Sequence, residues 1–387
     1  MSIHRKGFLL SGAAALAGAA LPSAARAQIR PFAQQFTLAI NVPLSGSRAA
    51  AGREIANGVQ AAVDEANQFS GAYTTAYTMR TFDDMDALAQ AMVNVQFAAA
   101  DSSVLAMIGG FDGSLIEASL PTYQTQQMPL LVPGSTADSV TSQGFRNVWR
   151  LPTRDTFEGQ LHALFVARRM KPKSSLAVTQ DGDYGPDVAH AFVDQLKSVK
   201  MTADGFEFAY EKPDYDAAAK RIAEKKPDYV VLCGTSDVMG PLVPALRAAG
   251  FTGKLGATQG FYNQLTLSKY ADAFSGGYIS TSFPPLDRAP DVLNALTDFR
   301  ARFPVTSLSA FAYAAAQIVI AASKRTGANN RLTTMTALQT PSSYNTIVGS
   351  FQFTPTGDPV DPNLYFYQIT DGKFKYVAPY HPTSFVL

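Results

Sequence analysis

The chain has 387 residues, 47% hydrophobic and 16% charged, with 32 basic against 31 acidic side chains and a formal charge of +1. That length holds about two domains with a packed core in each, which excludes a disordered tail, a collagen-like rod or a disulfide-stapled miniprotein. Balanced charge offers no chain-wide attraction for phosphate backbones, so nucleic acid is not expected as a partner. The single cysteine, Cys233, excludes an intramolecular disulfide and any Cys/His metal-ligand set around it.

Residues 1–27 read as an export signal: the basic cluster His4-Arg5-Lys6, an apolar run from Phe8 to Leu21, and the small-x-small site Ala25-Arg26-Ala27. The run is shorter than the roughly 20 residues that span a bilayer, and no cysteine follows it for lipid attachment. Arg5-Lys6-Gly7-Phe8-Leu9 resembles a twin-arginine signal with lysine in second place, so the Sec and Tat routes both stay open. Cleavage removes three basic residues and no acid, leaving an exported chain of 360 residues with a charge of −2.

From Thr37 onward short β-branched or apolar runs alternate with segments of helical period, the pattern of strands joined by crossover helices. The first series predicts strands at 38–42, 78–82, 104–108 and 129–132. A helix face is formed by Ile55, Val59, Ala62, Val63 and Ala66, and further helices fall at 87–99 and 115–126. A second series after Trp149-Arg150-Leu151-Pro152 predicts strands at 175–179, 206–210, 229–232 and 254–257, with helices at 186–198, 215–225 and 238–249. A helix at 308–324 and a hairpin at 365–377, turning at Asp371-Gly372, follow. These late elements are expected to complete two α/β halves, with residues 354–362 as a last crossing between them.

Catalytic signatures are missing: there is no G-x-S-x-G, H-E-x-x-H, Walker A or G-x-G-x-x-G motif. His162 and His190 read as solvated helix histidines, and Cys233, at the end of a buried-looking strand, as an inert packed thiol. What remains is a set of small polar loops where strands end and helices begin, the places where open α/β sheets bind ligands and helix N-termini receive anions. They are Gly109-Gly110-Phe111-Asp112-Gly113-Ser114, Val132-Pro133-Gly134-Ser135-Thr136, Asp181-Gly182-Asp183-Tyr184-Gly185 and Gly256-Ala257-Thr258-Gln259-Gly260. Any one of them also reads as an ordinary turn; their recurrence in both halves favours a cleft between lobes.

The succession Leu44-Ser45-Gly46, Asp83-Asp84, Ile108-Gly109-Gly110, Pro129, Pro133 to Ala137, Arg150 with Asp155, Asp181 to Gly185 and Leu246 to Gly250 resembles the periplasmic branched-chain amino acid-binding proteins of ABC importers, in order and over nearly the whole mature chain. The resemblance implies an α/β, type I periplasmic binding fold: two Rossmann-like (flavodoxin-like) lobes with mostly parallel sheets, joined by a three-crossing hinge and closing on a ligand. It places residues 36–153 and 283–361 in lobe 1, and 154–282 and 362–387 in lobe 2. It also implies a periplasmic, monomeric binding protein with no cofactor or metal, whose partners are a small-molecule ligand and the importer's membrane subunits.

Carried over residue by residue, the ligand carboxylate turn falls at Gly113 and Ser114, and the turn that meets the ligand's polar head at Gly134, Ser135 and Thr136. The tyrosine that closes over the ligand falls at Tyr184, and Asp155 lies just past the first crossing. Three positions depart from the family: its acid facing the ligand ammonium is Gln259 here, an aromatic is Thr235, and a tyrosine is Ala51. Because a buried ammonium needs a compensating carboxylate, Gln259 weakens the case for an ordinary α-amino acid and opens that for an amino-free carboxylate such as an aromatic acid, unless Asp155 or Asp237 substitutes. Phe111, Phe157, Phe261 and Tyr262 flank the loops, with core packing the plainer role for each. Arg48 reads as a solvated loop charge before a second ligand anchor. The expected function is capture of a small organic acid for an importer; a sensing module on the same fold is the alternative, and an exported hydrolase a weaker one.

Overall fold

The computed structural model describes residues 34–69, 75–180, 184–208, 213–286, 293–325 and 330–381; the expected export signal and Asp181, Gly182 and Asp183 lie outside them. The first half runs β1 (Gln34–Val42), α1 (Ala49–Phe69), β2 (Thr75–Asp83), α2 (Leu88–Ala100), β3 (Val104–Gly109), α3 (Gly113–Thr125), β4 (Leu130–Val132), a short α4 (Ser139–Ser142) and β5 (Val148–Arg150). Its five strands are parallel in the order β2-β1-β3-β4-β5. The order reverses between β1 and β3, so the loops leaving those strands diverge and open a crevice at the carboxyl end of the sheet.

The second half runs α5 (Asp155–Phe165), β6 (Ser174–Gln180), α6 (Pro186–Ser198), β7 (Thr202–Phe208), α7 (Tyr215–Lys225), β8 (Tyr229–Cys233), α8 (Leu242–Ala248), β9 (Lys254–Ala257) and β10 (Tyr278–Thr281). It repeats the same parallel order, β7-β6-β8-β9-β10. Then come α9 (Leu293–Arg302), α10 (Ser307–Arg325), α11 (Arg331–Gln339), a small hairpin of β11 (Tyr344–Thr346) and β12 (Gly349–Phe351), and finally β13 (Leu364–Thr370) and β14 (Lys373–Tyr380). The last pair adds antiparallel strands to the edge at β10. Both sheets are therefore flavodoxin-like, as the resemblance implied.

Central strands read as unbroken apolar runs because helices cover both faces: Leu38, Ile40, Val42, Ala106 and Ile108 are fully buried. They share a core with Ile55 and Val59 of α1 and with Ala312, Ala315 and Ile318 of α10. Thus the late helix without a strand of its own completes the first lobe. Gly58 permits the closest approach of α1 and α10, since a Cβ there would sit 2.0 Å from the carbonyl oxygen of Ser309. The second lobe has separate apolar clusters on the two faces of its sheet.

Three crossings meet at the hinge. Arg150 at the end of β5 donates its N–H to the carbonyl of Gly357 at 2.9 Å. Thr153 ties the crossings together: its N–H donates to Ser282 Oγ at 3.0 Å on the second crossing, and its hydroxyl to the carbonyl of Asn363 at 2.9 Å on the third. The Arg150 guanidinium is fully buried and paired with Asp358 at 2.5 Å, and it donates to the carbonyls of Thr136, at 3.0 Å, and Ala137. Some element bounds differ from expectation. The helix expected from 238 begins at Leu242, after a turn through Gly240-Pro241, and the strand expected at 206–210 is Thr202–Phe208.

Candidate functional site

The first lobe builds its side of the crevice from two loops. Gly110, at φ +85°, turns the chain sharply off β3 where a Cβ would strike Ile116. Asp112 then caps α3, accepting from the N–H of Leu115 at 3.1 Å and from the Ser114 hydroxyl at 2.6 Å. Arg48 donates to the other Asp112 oxygen at 2.6 Å and to Asp86 at 3.2 Å, so it is an ion-pair bridge between two loops rather than a free solvated charge. This pairing and the caps hold the Asp112 carboxyl below its usual range against the opposing effect of burial.

The loop after β4 packs directly on the first: a Cβ on Gly113 would lie 2.6 Å from Ala137 and 3.3 Å from the Ser135 hydroxyl, and one on Gly134 would lie 3.0 Å from the carbonyl of Gly110. Gly113, Ser135 and Thr136 are buried, Gly134 half-buried and Ser114 exposed. The Thr136 carbonyl accepts from Arg150 and, at 3.0 Å, from the N–H of Asp155. Gly113, Ser114, Gly134, Ser135 and Thr136 are thus brought together, and Thr136 touches the first residue of α5.

On the second lobe, Asp155 and Glu158 occupy the first turn of α5, and both side chains are buried. Acids there complement the helix dipole. Glu158 is the centre of the polar network: Oε1 accepts from the N–H of Gln259 at 2.9 Å and from Ser280 Oγ at 2.8 Å, and Oε2 accepts from Gln259 Nε2 at 3.0 Å and Tyr184 Oη at 3.3 Å. Burial raises the Glu158 carboxyl to about 8, with Asp155 adding to the rise and its donors opposing. Burial also raises Asp155 to about 7; Thr136 and Arg150 oppose this, and Asp138 and Asp187 add to it. Asp155 Oδ1 is buried without a hydrogen-bond partner.

Tyr184 and Gln259 therefore converge on one carboxylate. Thr235 is half-buried on the loop after β8, against Gly260, where an added Cβ would come within 2.9 Å of the Thr235 Cα. Asp237 is exposed and stands near Tyr215 and Tyr270, outside this network. Phe261 is a core residue, and Tyr262 packs on Tyr367 and Phe374 with centroids 4.6 and 4.5 Å away. Phe111 and Phe157 are half-buried beside the loops, Phe157 lying under the Arg154 guanidinium at 4.3 Å.

The reading of His162 also changes. His162 is fully buried rather than solvated, hydrogen-bonded to Ser280 Oγ at 2.9 Å and Tyr229 Oη at 2.7 Å, and burial lowers it to about 3; His190 is exposed. Beside Gln259 lies a buried acid, Glu158, delivered by a different element. Cys233 is fully buried, and burial pushes its thiol up, away from reactivity. No group of three or more potential metal-ligating side chains occurs among the described residues. A lysine-rich concavity of about 990 Å³, which includes Lys171, Lys173 and Lys254, opens at the amino ends of β6, β8 and β9, the wrong end of the sheet for a crevice ligand.

Two flavodoxin-like lobes, three hinge crossings and facing polar loops define a type I periplasmic binding protein. The chain matches the periplasmic binding protein family over residues 35–373 and belongs to it. The Leu/Ile/Val-binding protein BraC3 of Rhizobium johnstonii is 25% identical over 340 residues, 87% of this chain and 92% of that protein. Leu/Ile/Val-binding protein homolog 1 of Brucella melitensis is 24% identical over the same shares. The leucine-binding protein LivK of Thermotoga maritima superposes with a TM-score of 0.78 at 21% identity, covering 90% of this chain and 99% of that one. A solute-binding protein of R. palustris in complex with benzoate gives 0.75 at 20% identity, covering 89% and 96%. These relatives are binding proteins rather than enzymes.

Proposed function

We propose that this chain works in the periplasm as the receptor of an importer, capturing in its interlobe crevice a small acid that carries an ammonium group, and handing it to the importer's membrane subunits. The observation that carries this reading is the pair Asp155 and Glu158: two buried carboxyl groups, one oxygen of which has no partner, and no cation bonded to either among the described residues. Ionising acids in a desolvated crevice is unfavourable, which is why burial raises both carboxyls, and a donor-bearing cation would offset that cost. The neutral Gln259 therefore does not argue against an amino acid.

On the first lobe the α3 N-terminus, with Gly113 and Ser114, and the turn Gly134 to Thr136 would receive the ligand carboxylate. Tyr184, Thr235 and Gln259 would close from the other side. No helix among the described residues is long and apolar enough to cross a membrane, and delivery by lobe closure needs none. Closure follows from contacts available only when both lobes meet the ligand.

A second reading, an amino-free aromatic acid, draws support from the neutral Gln259 and from neighbours described in complex with benzoate and 4-hydroxybenzoate, beside others in complex with leucine or isoleucine. A thermal-shift screen of the mature protein against the common amino acids and a set of aromatic and aliphatic acids separates the two. Stabilisation by an amino acid supports the first reading; stabilisation by aromatic acids alone supports the second.

A further inference from the structure

Glu158 does more than add charge to the crevice. Four donors reach its carboxylate, two of them from Gln259, and the Gln259 N–H is an obligate donor. Behind it runs a polar chain through the lobe interior. Ser280 commits its hydroxyl proton to Glu158 Oε1 at 2.8 Å, so its contact with His162 Nδ1 at 2.9 Å places the imidazole proton on Nδ1. The bare Nε2 then accepts the phenol proton of Tyr229 at 2.7 Å. Every hydrogen in the series Tyr229, His162, Ser280 points toward Glu158.

On the far side the Gln259 amide is gripped at both ends. Nε2 faces Glu158, and Oε1 accepts from Ser282 Oγ at 3.3 Å on the second crossing; Ser282 Oγ in turn accepts the N–H of Thr153 on the first. The amide orientation follows from the carboxylate, since an acid partner takes the NH2 end and leaves the carbonyl for the hydroxyl.

We propose that Glu158 is a positioning residue for ligand selection: held by the Tyr229–His162–Ser280 chain, it fixes the Gln259 amide in one orientation between the crevice and the hinge. It sets selectivity without being required to touch the ligand. The inference rests on Gln259 belonging to the ligand site, as proposed above.

The test has two arms, both on the intact mature protein. In Glu158→Gln, an NH2 group replaces one of the two oxygens that the four donors reach, so hydrogen exchange at the Gln259 N–H should speed up at least tenfold while exchange in β9 stays as in the wild type. Unchanged exchange at Gln259 overturns the proposal, and this arm needs no ligand. Should that variant not fold, Ser280→Ala removes one donor and the link to His162, and a several-fold rise at Gln259 is expected; no rise overturns it equally. The second arm is a double-mutant cycle read by calorimetry with L-leucine and benzoate as probes. A positioning role predicts that Glu158→Gln weakens binding at least tenfold with Gln259 present and less than twofold in Gln259→Ala. Equal losses in both backgrounds mark a merely structural Glu158. Failure of both probes to bind counts against leucine and benzoate as ligands, while the exchange arm still decides the positioning claim.

Discussion

The N–H of Asp155 donates to the carbonyl of Thr136 at 3.0 Å, so the first residue of α5 is bonded to the end of the proposed ligand turn of the first lobe. On the proposed site, ligand binding and hinge geometry would share this backbone contact, and Asp155 is buried beside it. Asp155→Asn should lower affinity for an ammonium-bearing ligand at least tenfold while leaving the unfolding midpoint equal or higher, because an unpaired buried acid is replaced by a neutral isostere. Calorimetry and thermal denaturation together check this. A midpoint several degrees lower would mean that the Asp155 charge is compensated in the unliganded protein.

The raised carboxyls predict a pH dependence of definite sign. Unfolded Asp and Glu titrate near 3.9 and 4.3, whereas folded Asp155 and Glu158 titrate at about 7 and about 8. Between those limits the folded protein binds more protons, so the contribution of these groups to stability is full below about pH 4 and is lost as pH rises through about 8. The unliganded midpoint should therefore fall between pH 5.5 and 8.5 more steeply in the wild type than in an Asp155→Asn, Glu158→Gln double variant. Binding of an ammonium near pH 7 should release protons, seen as a dependence of the calorimetric heat on buffer ionisation enthalpy.

Gln259→Glu would restore the family's acid in sequence but set a second carboxylate against Glu158 in place of a hydrogen bond of 3.0 Å. Like charges in a buried site destabilise, so the unfolding midpoint should drop, with no gain in affinity for amino acids. A stable variant with tighter amino acid binding would show that Gln259 turns away from Glu158 in solution.

Asp358→Ala leaves the fully buried Arg150 without its counter-ion. Breaking one side of such a pair costs about 3–5 kcal/mol, which chemical denaturation should resolve. Because Arg150 also donates to the Thr136 carbonyl, ligand affinity should fall with stability.

Much of this arrangement is legible in the sequence. The parallel strands declare themselves by unbroken apolar runs, the helices by spacing such as Ile55, Val59, Ala62 and Val63, and the crevice by small polar loops at strand ends. Glu158 was hidden because the segment Asp155–Phe165 carries an interior glycine and falls before the alternating series resumes at residue 175. In the fold Gly159 is the close-packing point of α5 on α6, where a Cβ would lie 2.3 Å from the carbonyl of Val188. The usable signal was an acid at both 155 and 158, one helical turn apart and ahead of Leu161, Leu164 and Phe165. Ser280 and His162 gave no signal, since their roles come from contacts across more than a hundred residues.

The central claim is that the crevice selects an ammonium. Calorimetric titration of the mature protein with L-leucine and with 4-methylpentanoate, the same molecule without its amino group, tests it most directly, with the other amino acids and their des-amino counterparts taken as further pairs. An amino acid should bind the wild type, its des-amino counterpart should not, and Asp155→Asn should abolish the difference. Binding of amino-free acids such as 4-methylpentanoate or benzoate to wild type and Asp155→Asn alike, with no amino acid bound, would contradict it.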